Sequence, residues 1–367
     1  MDFRFVWTIL FFIIIFSFIV IGHEGGHFLI AKINGIHVVE FTIGLGPKLL
    51  HFKAGGTEFS IRALPFGGAC IFENPDEADD EEEDKENEDK LVKDLTSDKN
   101  SKAFKDASVW ARIATVVAGP LFNILLAYIL GLFIVFFCGE CGTVISEVKA
   151  GMPAEAAGLM PGDKITKING ERIYLFSEIK MLAFVDNNET WVVEYERDGQ
   201  KYSTDLVPVF VSKDSRVIGV ASEDIIDCTN LNMFKYSALE IRYWVKATFK
   251  SLKMLFTGRL TKDDVSGPVG MAQIIDTTIE ETKQYGVFTV LLNMVNITVL
   301  LSVNLGIMNM LPLPALDGGR LIFLLIEAVI RKPVPRKFEA IVHGAGIVAL
   351  LLLSVFILIN DITKFFR

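Results

Sequence analysis

Apolar residues gather in four long stretches of this 367-residue chain, close to residues 5–24, 110–137, 287–310 and 341–360. Each is near the roughly 20 residues a helix needs to cross a bilayer. The first holds eighteen uncharged residues from Phe5 to Gly22, and the second carries no charge from Ile113 to Cys138. A secretory signal would also be apolar. Here the start Met1-Asp2-Phe3-Arg4 is only weakly basic, the run outlasts a typical signal core, and no small-x-small cleavage site follows. The pattern therefore predicts a retained first span.

The segments between the spans have other rhythms. Residues 35–72 alternate with strand character and are punctuated by Gly44, Gly46-Pro47, Gly55-Gly56 and Gly67-Gly68, which predicts short hairpins close to the membrane. An exposed edge strand there would hold an extended substrate by main-chain hydrogen bonds; a plain structural sheet fits the residues equally well. Residues 139–210 have soluble composition. A strand at Gly142–Val148, a short helix at Pro153–Gly158 and turns at Pro161-Gly162-Asp163 and Asn169-Gly170 predict a small β-rich recognition module. From Leu231 to Leu255, Phe234, Ile241, Val245, Phe249 and Leu252 recur at helical spacing with Lys235, Arg242, Lys246, Lys250 and Lys253 among them. That pattern predicts an amphipathic helix lying on the membrane surface.

Composition sharpens this picture. At 51% hydrophobic, the chain is too apolar for one soluble domain of its size. Its net charge of −9 is concentrated in Glu73–Lys90, where twelve acidic residues face two lysines and the rest is close to neutral. Such a run reads as a solvated, disordered loop, and nothing offers the basic face that nucleic-acid binding needs. Cys138 and Cys141 form a C-x-x-C without the second pair a four-cysteine zinc site requires, so a local disulfide or two idle thiols is expected. Arg320, Arg331, Lys332, Arg336 and Lys337 between spans three and four make that stretch cytoplasmic. The loop between spans one and two is then cytoplasmic as well, and the long region after span two is outside.

The chemistry sits at the end of the first span, in His23-Glu24-Gly25-Gly26-His27. H-E-x-x-H occurs by chance in many chains, but here it ends a span, where charged groups are costly. The spacing places both imidazoles on one helical face to share a zinc ion, with Glu24 beside it to take a proton from bound water. A catalytic site needs a third protein ligand. His37, His51 and His343 are expected to make ordinary polar contacts. Asp317 is the better candidate: two prolines, Pro312 and Pro314, break an apolar span, and the aspartate is followed by Gly318-Gly319, which admit a close backbone or a metal. Asn293, Asn296, Asn304 and Asn309 punctuate span three and point into a helix bundle or a wet cavity.

With these residues in place, the chain resembles the site-2 protease family of intramembrane zinc metalloproteases (peptidase M50-like), in the bacterial form with one PDZ domain. The resemblance rests on His23-Glu24-x-x-His27, Gly119-Pro120-x-x-Asn123, Pro153-Ala-Glu-Ala-Ala-Gly-Leu159 with Pro161-Gly-Asp163, and Asn309-x-x-Pro-x-Pro-x-Leu-Asp317-Gly. It implies His23, His27 and Asp317 as Zn2+ ligands, Glu24 as catalytic base, and Asn309 and Asn123 as polar groups near bound substrate. It implies a polytopic α-helical membrane protein with four transmembrane helices, a membrane-associated β-hairpin region that guides substrate, and an inserted PDZ-like α+β domain.

The expected division of the chain follows. Span one with the zinc motif is 1–34, the β region 35–72, the acidic cytoplasmic loop 73–108 and span two 109–138. The PDZ-like domain is 139–210, a linker with the interfacial helix 211–285, and span three with its aspartate motif 286–319. A cytoplasmic loop at 320–340 precedes span four and the tail at 341–367. The implied partners are the lipid bilayer and single-span membrane substrates such as anti-sigma factors or remnant signal peptides, with no nucleic acid. The implied location is the cell membrane, the active site toward the cytoplasm and the PDZ-like domain outside it. Family members often carry an aromatic and a lysine after the paired glycines, where this chain has Ala69-Cys70-Ile71, and the acidic insertion is unusual. The competing reading is a non-proteolytic membrane scaffold whose PDZ-like module recruits partners around a structural zinc.

Overall fold

The computed structural model describes residues 3–72, 102–210, 216–259 and 264–365. The acidic run of the expected loop lies outside the described residues. In chain order the longer helices are α1 (Phe3–Ile33), α2 (Val109–Cys138), α3 (Phe176–Val185), α4 (Asn232–Phe256), α5 (Pro268–Thr282), α6 (Val287–Asn309), α7 (Asp317–Ile330) and α8 (Arg336–Phe365). Among the described residues four helical segments are long and apolar enough to cross a membrane: Val6–Ile33, Val109–Cys138, Val287–Asn309 and Lys337–Lys364. Their outward residues include Leu125, Ile129, Leu352 and Phe356, all exposed. Such faces suit acyl chains and would be untenable in water. The contacts divide the chain into two compact units, Met1–Ala127 with Lys262–Arg367, and Tyr128–Thr261.

In the first unit, α1 packs along α5 and α6 through a cluster that includes Phe12, Ile15, Ile19, Ile275, Met294 and Ile297. The glycine-punctuated segment forms a sheet from two long strands, β1 (Val38–Ala54) and β2 (Thr57–Phe72). Each strand folds back on itself. Residues 40–43 pair with 58–61 on one side and with 68–71 on the other, while 48–54 pair with 57–62. The segments therefore lie in the order 48–54, 57–62, 38–43, 68–72, which leaves 68–72 at an edge. Gly55 and Gly56 turn the hairpin with φ of 56° and 73°, in the left-handed region that glycine enters without strain. Leu45, Leu49, Leu50 and Phe52 face outward, as expected of a sheet resting against lipid. Burial would push the Glu40 carboxyl up, but Ser60, Arg62 and Lys48 outweigh it and hold it below the usual range. His51 faces Glu58 (3.3 Å), which makes it a polar contact in this network.

The second unit is the β-rich module. Four strands, β3 (Lys164–Ile168), β4 (Glu171–Arg172), β5 (Trp191–Arg197) and β6 (Gln200–Leu206), form an antiparallel sheet in the order β4-β3-β5-β6. Its core gathers Ile145, Ile165, Phe176, Leu182, Trp191 and Val193. The Pro161-Gly162-Asp163 turn is locked by buried Asp163, which accepts the Met160 N–H (2.8 Å) and pairs with Arg197 (2.6 Å). The module runs past the expected boundary at 210. Ile218 lies in the same core and Val220–Ala221 pairs with Glu147–Val148, so the strand that completes the module comes from beyond that point. Cys138, Cys141 and Cys228 are all free thiols, which leaves no local C-x-x-C disulfide.

Helix α4 is amphipathic, but its basic stripe has an internal partner. Arg242 pairs with the fully buried Glu178 of α3, while Lys246 and Lys250 pair with Glu171 at 2.8 and 2.9 Å. A buried carboxylate needs such compensation, and Glu178 also accepts the Tyr174 N–H at 2.8 Å. Met254 of the same helix enters the module's core.

A pH dependence arises on the other side of α4, where Glu240 meets Glu140. Burial, reinforced by the neighbouring Glu140 charge, pushes the Glu240 carboxyl up to about 8. In the unfolded chain this group loses its proton in the ordinary carboxylate range. The folded state thus binds more protons between the two values, and stability falls as pH rises through that window. Thermal unfolding of the full chain in detergent from pH 5 to 9 should show this decline, and Glu240→Gln should flatten it. An equal slope in both proteins would sink the assignment.

Candidate metal centre and active site

The 31 residues of α1 carry no proline, so the helix continues through His23 and His27 and sets them one turn apart. Both are buried, and their rings meet edge to face with centroids 4.8 Å apart. Asp317 opens α7, reached from α6 through the proline-broken segment that follows Asn309. The three donor atoms converge: His23 Nε2 lies 3.1 Å and His27 Nε2 3.4 Å from Asp317 Oδ2, and the two Nε2 atoms are 3.2 Å apart. Four-coordinate zinc with bonds of about 2.0–2.1 Å has ligand–ligand edges of about 3.3 Å. The triangle therefore has the dimensions of one face of a zinc tetrahedron. Among the described residues this is the only group of three or more His, Cys, Asp or Glu side chains so arranged.

The surroundings hold each donor in that pose. The N–H on His27 Nδ1 donates to the Thr115 carbonyl (2.8 Å), which leaves the Nε2 lone pair for a metal. Gly119 of α2 lies flat against the same ring, where a Cβ would stand 2.2 Å from Nε2. Asn123, one turn further along α2, has its amide 3.2 Å from His23 Nδ1. Asn123 is fully buried, and its amide is set against the His23 ring. With a metal on Nε2, His23 carries its proton on Nδ1 and the amide oxygen turns to accept it. Asn309 Nδ2 lies 3.2 Å from His23 Nε2 and stays partly exposed.

The glycines after Asp317 serve the backbone. A Cβ on Gly318 would fall 2.1 Å from the Leu311 carbonyl oxygen, and one on Gly319 2.4 Å from that of Leu313. The segment before Asp317 is folded tightly over the start of α7, and only glycine leaves room for it.

Glu24 faces the edge of the sheet. The Cys70 backbone N–H donates to its carboxylate, and a Cβ on Gly68 would come within 3.1 Å of Glu24 Cγ. Segment 68–72 is thus the sheet edge that meets Glu24. Burial, with the Glu24 charge adding to it, pushes the Cys70 thiol up and leaves it inert. Neither the Thr115 carbonyl nor the Cys70 N–H could be singled out beforehand, since every residue has such groups.

Three convergent donors with a carboxylate alongside, two of the donors and that carboxylate on a helix of membrane-spanning length, are the makings of a membrane metallopeptidase. Comparison with known proteins agrees. The profile of Peptidase family M50 matches residues 11–353. Zinc metalloprotease RasP of Geobacillus kaustophilus is 33% identical, over 98% of this chain and 98% of its own. A Staphylococcus aureus (strain COL) protein bearing a provisional zinc metalloprotease name is 31% identical over 98% of this chain and 99% of its own. Among solved structures, the PDZ domain of the SdrC-like protein from Listeria monocytogenes aligns with 23% of this chain and 88% of its own, at 24% identity and a TM-score of 0.21. The chain belongs to peptidase family M50, the site-2 proteases, and is a metalloprotease.

Proposed function

We propose that this protein is a zinc-dependent intramembrane endopeptidase that cleaves transmembrane segments of single-span, membrane-tethered substrates such as anti-sigma factors or remnant signal peptides. The observation that carries the reading is the triangle of His23, His27 and Asp317, with edges of 3.1–3.4 Å, whose two histidines sit on a helix of membrane-crossing length. These three residues hold zinc. A closed structural site would ordinarily have a fourth protein ligand, and among the described residues none joins them.

Bound there, zinc lowers the pKa of its water toward neutrality and polarises the scissile carbonyl. Glu24 takes the water proton on its carboxylate and passes it to the leaving amide nitrogen. Asn309 Nδ2 donates to the carbonyl oxygen as charge builds on it. A peptide bond inside a helix is already hydrogen-bonded and shielded, so the substrate unwinds locally, and the edge at 68–72 pairs with the extended chain. The basic residues between spans three and four orient the protein in the cell membrane with its active site toward the cytoplasm and the PDZ-like module outside.

The test is cleavage of a single-span substrate by the purified full chain in detergent, beside Glu24→Gln with zinc content measured for both. The variant should keep its zinc and lose at least about 100-fold in rate, the contribution typical of a general base. Undiminished cleavage by the variant would remove Glu24 from the mechanism. Zinc-loaded wild type that cleaves none of several substrates, pre-trimmed ones included, would favour the scaffold reading.

A further inference from the structure

The third donor reaches its place through an unusual backbone. Ala315, two residues before Asp317, has φ of 73°, a left-handed conformation that a side chain disfavours. Its N–H donates to Nδ1 of His343 on α8 at 2.9 Å. The His343 ring lies against Phe323 of α7, with centroids 5.6 Å apart. Three residues along the same face of α8, a Cβ on Gly346 would fall 2.3 Å from Pro314 Cβ and 2.8 Å from its carbonyl oxygen. Two successive positions of α8 therefore grip the two residues Pro314 and Ala315. In the most apolar 18-residue stretch of α8 only 6% of the residues are buried, so contacts of this closeness stand out. The helix holds the aspartate loop at this point and α5 near its far end, where Asp361 accepts the Gly267 and Gly270 N–H groups.

The geometry points to His343 as a positioning residue for Asp317, acting through the Ala315 N–H. The hydrogen bond holds Ala315 in its left-handed turn. That turn sets the start of α7, and the start of α7 sets where Asp317 Oδ2 stands relative to the two imidazoles. Gly346 contributes the close approach that brings His343 within reach. A side chain without an acceptor at 343 frees the Ala315 N–H, and the backbone relaxes toward an ordinary conformation. Asp317 then moves off the third corner of the triangle. This rests on the reading of Asp317 as a zinc ligand, which Asp317→Asn tests separately.

The measurement is zinc affinity of the purified full chain in detergent, by competition with a chromophoric chelator well below the unfolding temperature. Affinities are compared for wild type, His343→Phe, Ala315→Gly, the double variant and Asp317→Asn. Phenylalanine keeps the ring against Phe323 and removes the acceptor. His343→Phe should bind zinc about 10- to 100-fold more weakly, as for the loss of a group that orients a ligand. Ala315→Gly should restore most of that loss in the double variant, because glycine holds a positive φ unaided. A histidine that only stabilised the fold would lower the melting temperature and leave the affinity and its rescue unmoved.

Wild-type affinity in His343→Phe, or no recovery in the double variant, overturns the proposal. Should His343→Phe fail to fold, Ala315→Val, which keeps the histidine but penalises the left-handed turn, must show the same weakening; wild-type affinity there overturns it equally. Wild-type affinity in Asp317→Asn would instead defeat the underlying ligand assignment.

Discussion

Gly119→Ala is expected to abolish zinc binding and activity together. The added methyl would stand 2.2 Å from His27 Nε2 and 2.5 Å from Cε1, inside the space the donor atom occupies. Neither side has room to yield. His27 is tied through Nδ1 to the Thr115 carbonyl of the same helix that carries Gly119. The helices are already in close contact at the preceding residue of each, where a Cβ on Gly26 would lie 2.6 Å from the Ala118 carbonyl oxygen. The imidazole must therefore swing out, which removes one of three donors. Displacing even a group that orients a ligand costs about 10- to 100-fold, and the loss here should be at least at the upper end. Overpacking adds about 1–3 kcal/mol of destabilisation, so zinc stoichiometry and rate should be measured on protein shown to be folded by thermal melting. Full zinc occupancy with normal cleavage would mean that His27 is not seated against α2 as described.

The second large effect should separate metal from catalysis. Gly68→Ala places a methyl 2.7 Å from Val20 Cγ1, 2.9 Å from the Thr42 carbonyl oxygen and 3.1 Å from Glu24 Cγ. The Thr42 oxygen belongs to the neighbouring strand segment and cannot retreat without unzipping the sheet. The edge 68–72 therefore backs away from α1 and draws the Cys70 N–H off Glu24. His23, His27 and Asp317 are untouched, so zinc should stay. A displacement of about 1 Å of reacting groups can cost about 100-fold in rate. The expected result is near-normal zinc content with cleavage reduced 10- to 100-fold. Loss of zinc along with activity would show that the sheet supports the donors themselves and not only Glu24.

How far the site was legible depended on whether a residue's role follows from its own chemistry or from its neighbour's. His23 and His27 were readable because helical spacing alone puts them on one face. Asp317 was readable because a carboxylate in an apolar stretch needs a partner. The neighbour of Asn123 was not legible. A polar residue in a span marks an inward face without saying which group it meets, and here it meets His23 at 3.2 Å in full burial. His343 looked ordinary because its partner is a backbone N–H, and backbone groups carry no signature in a sequence. The fold followed the same division. The spans and the glycine-turned hairpin announced themselves through periodicity and composition. The folding of both β1 and β2 back on themselves did not, since register there depends on which faces find the helix.

The basic stripe of α4 has a consequence for how the protein meets its surroundings. Lysines along a helix ordinarily seek lipid phosphates, yet those at 246 and 250 are held by Glu171, and Arg242 by Glu178. What remains turned outward is aromatic: Phe234, Phe249 and Phe256 are all exposed, with Lys235 and Lys253 beside them. Adhesion through that face would be governed mainly by partitioning of rings into the interface, with only these two lysines answering to headgroup charge and ionic strength. Any hold of the module on a bilayer should therefore largely survive high salt and show only a modest preference for anionic over zwitterionic vesicles.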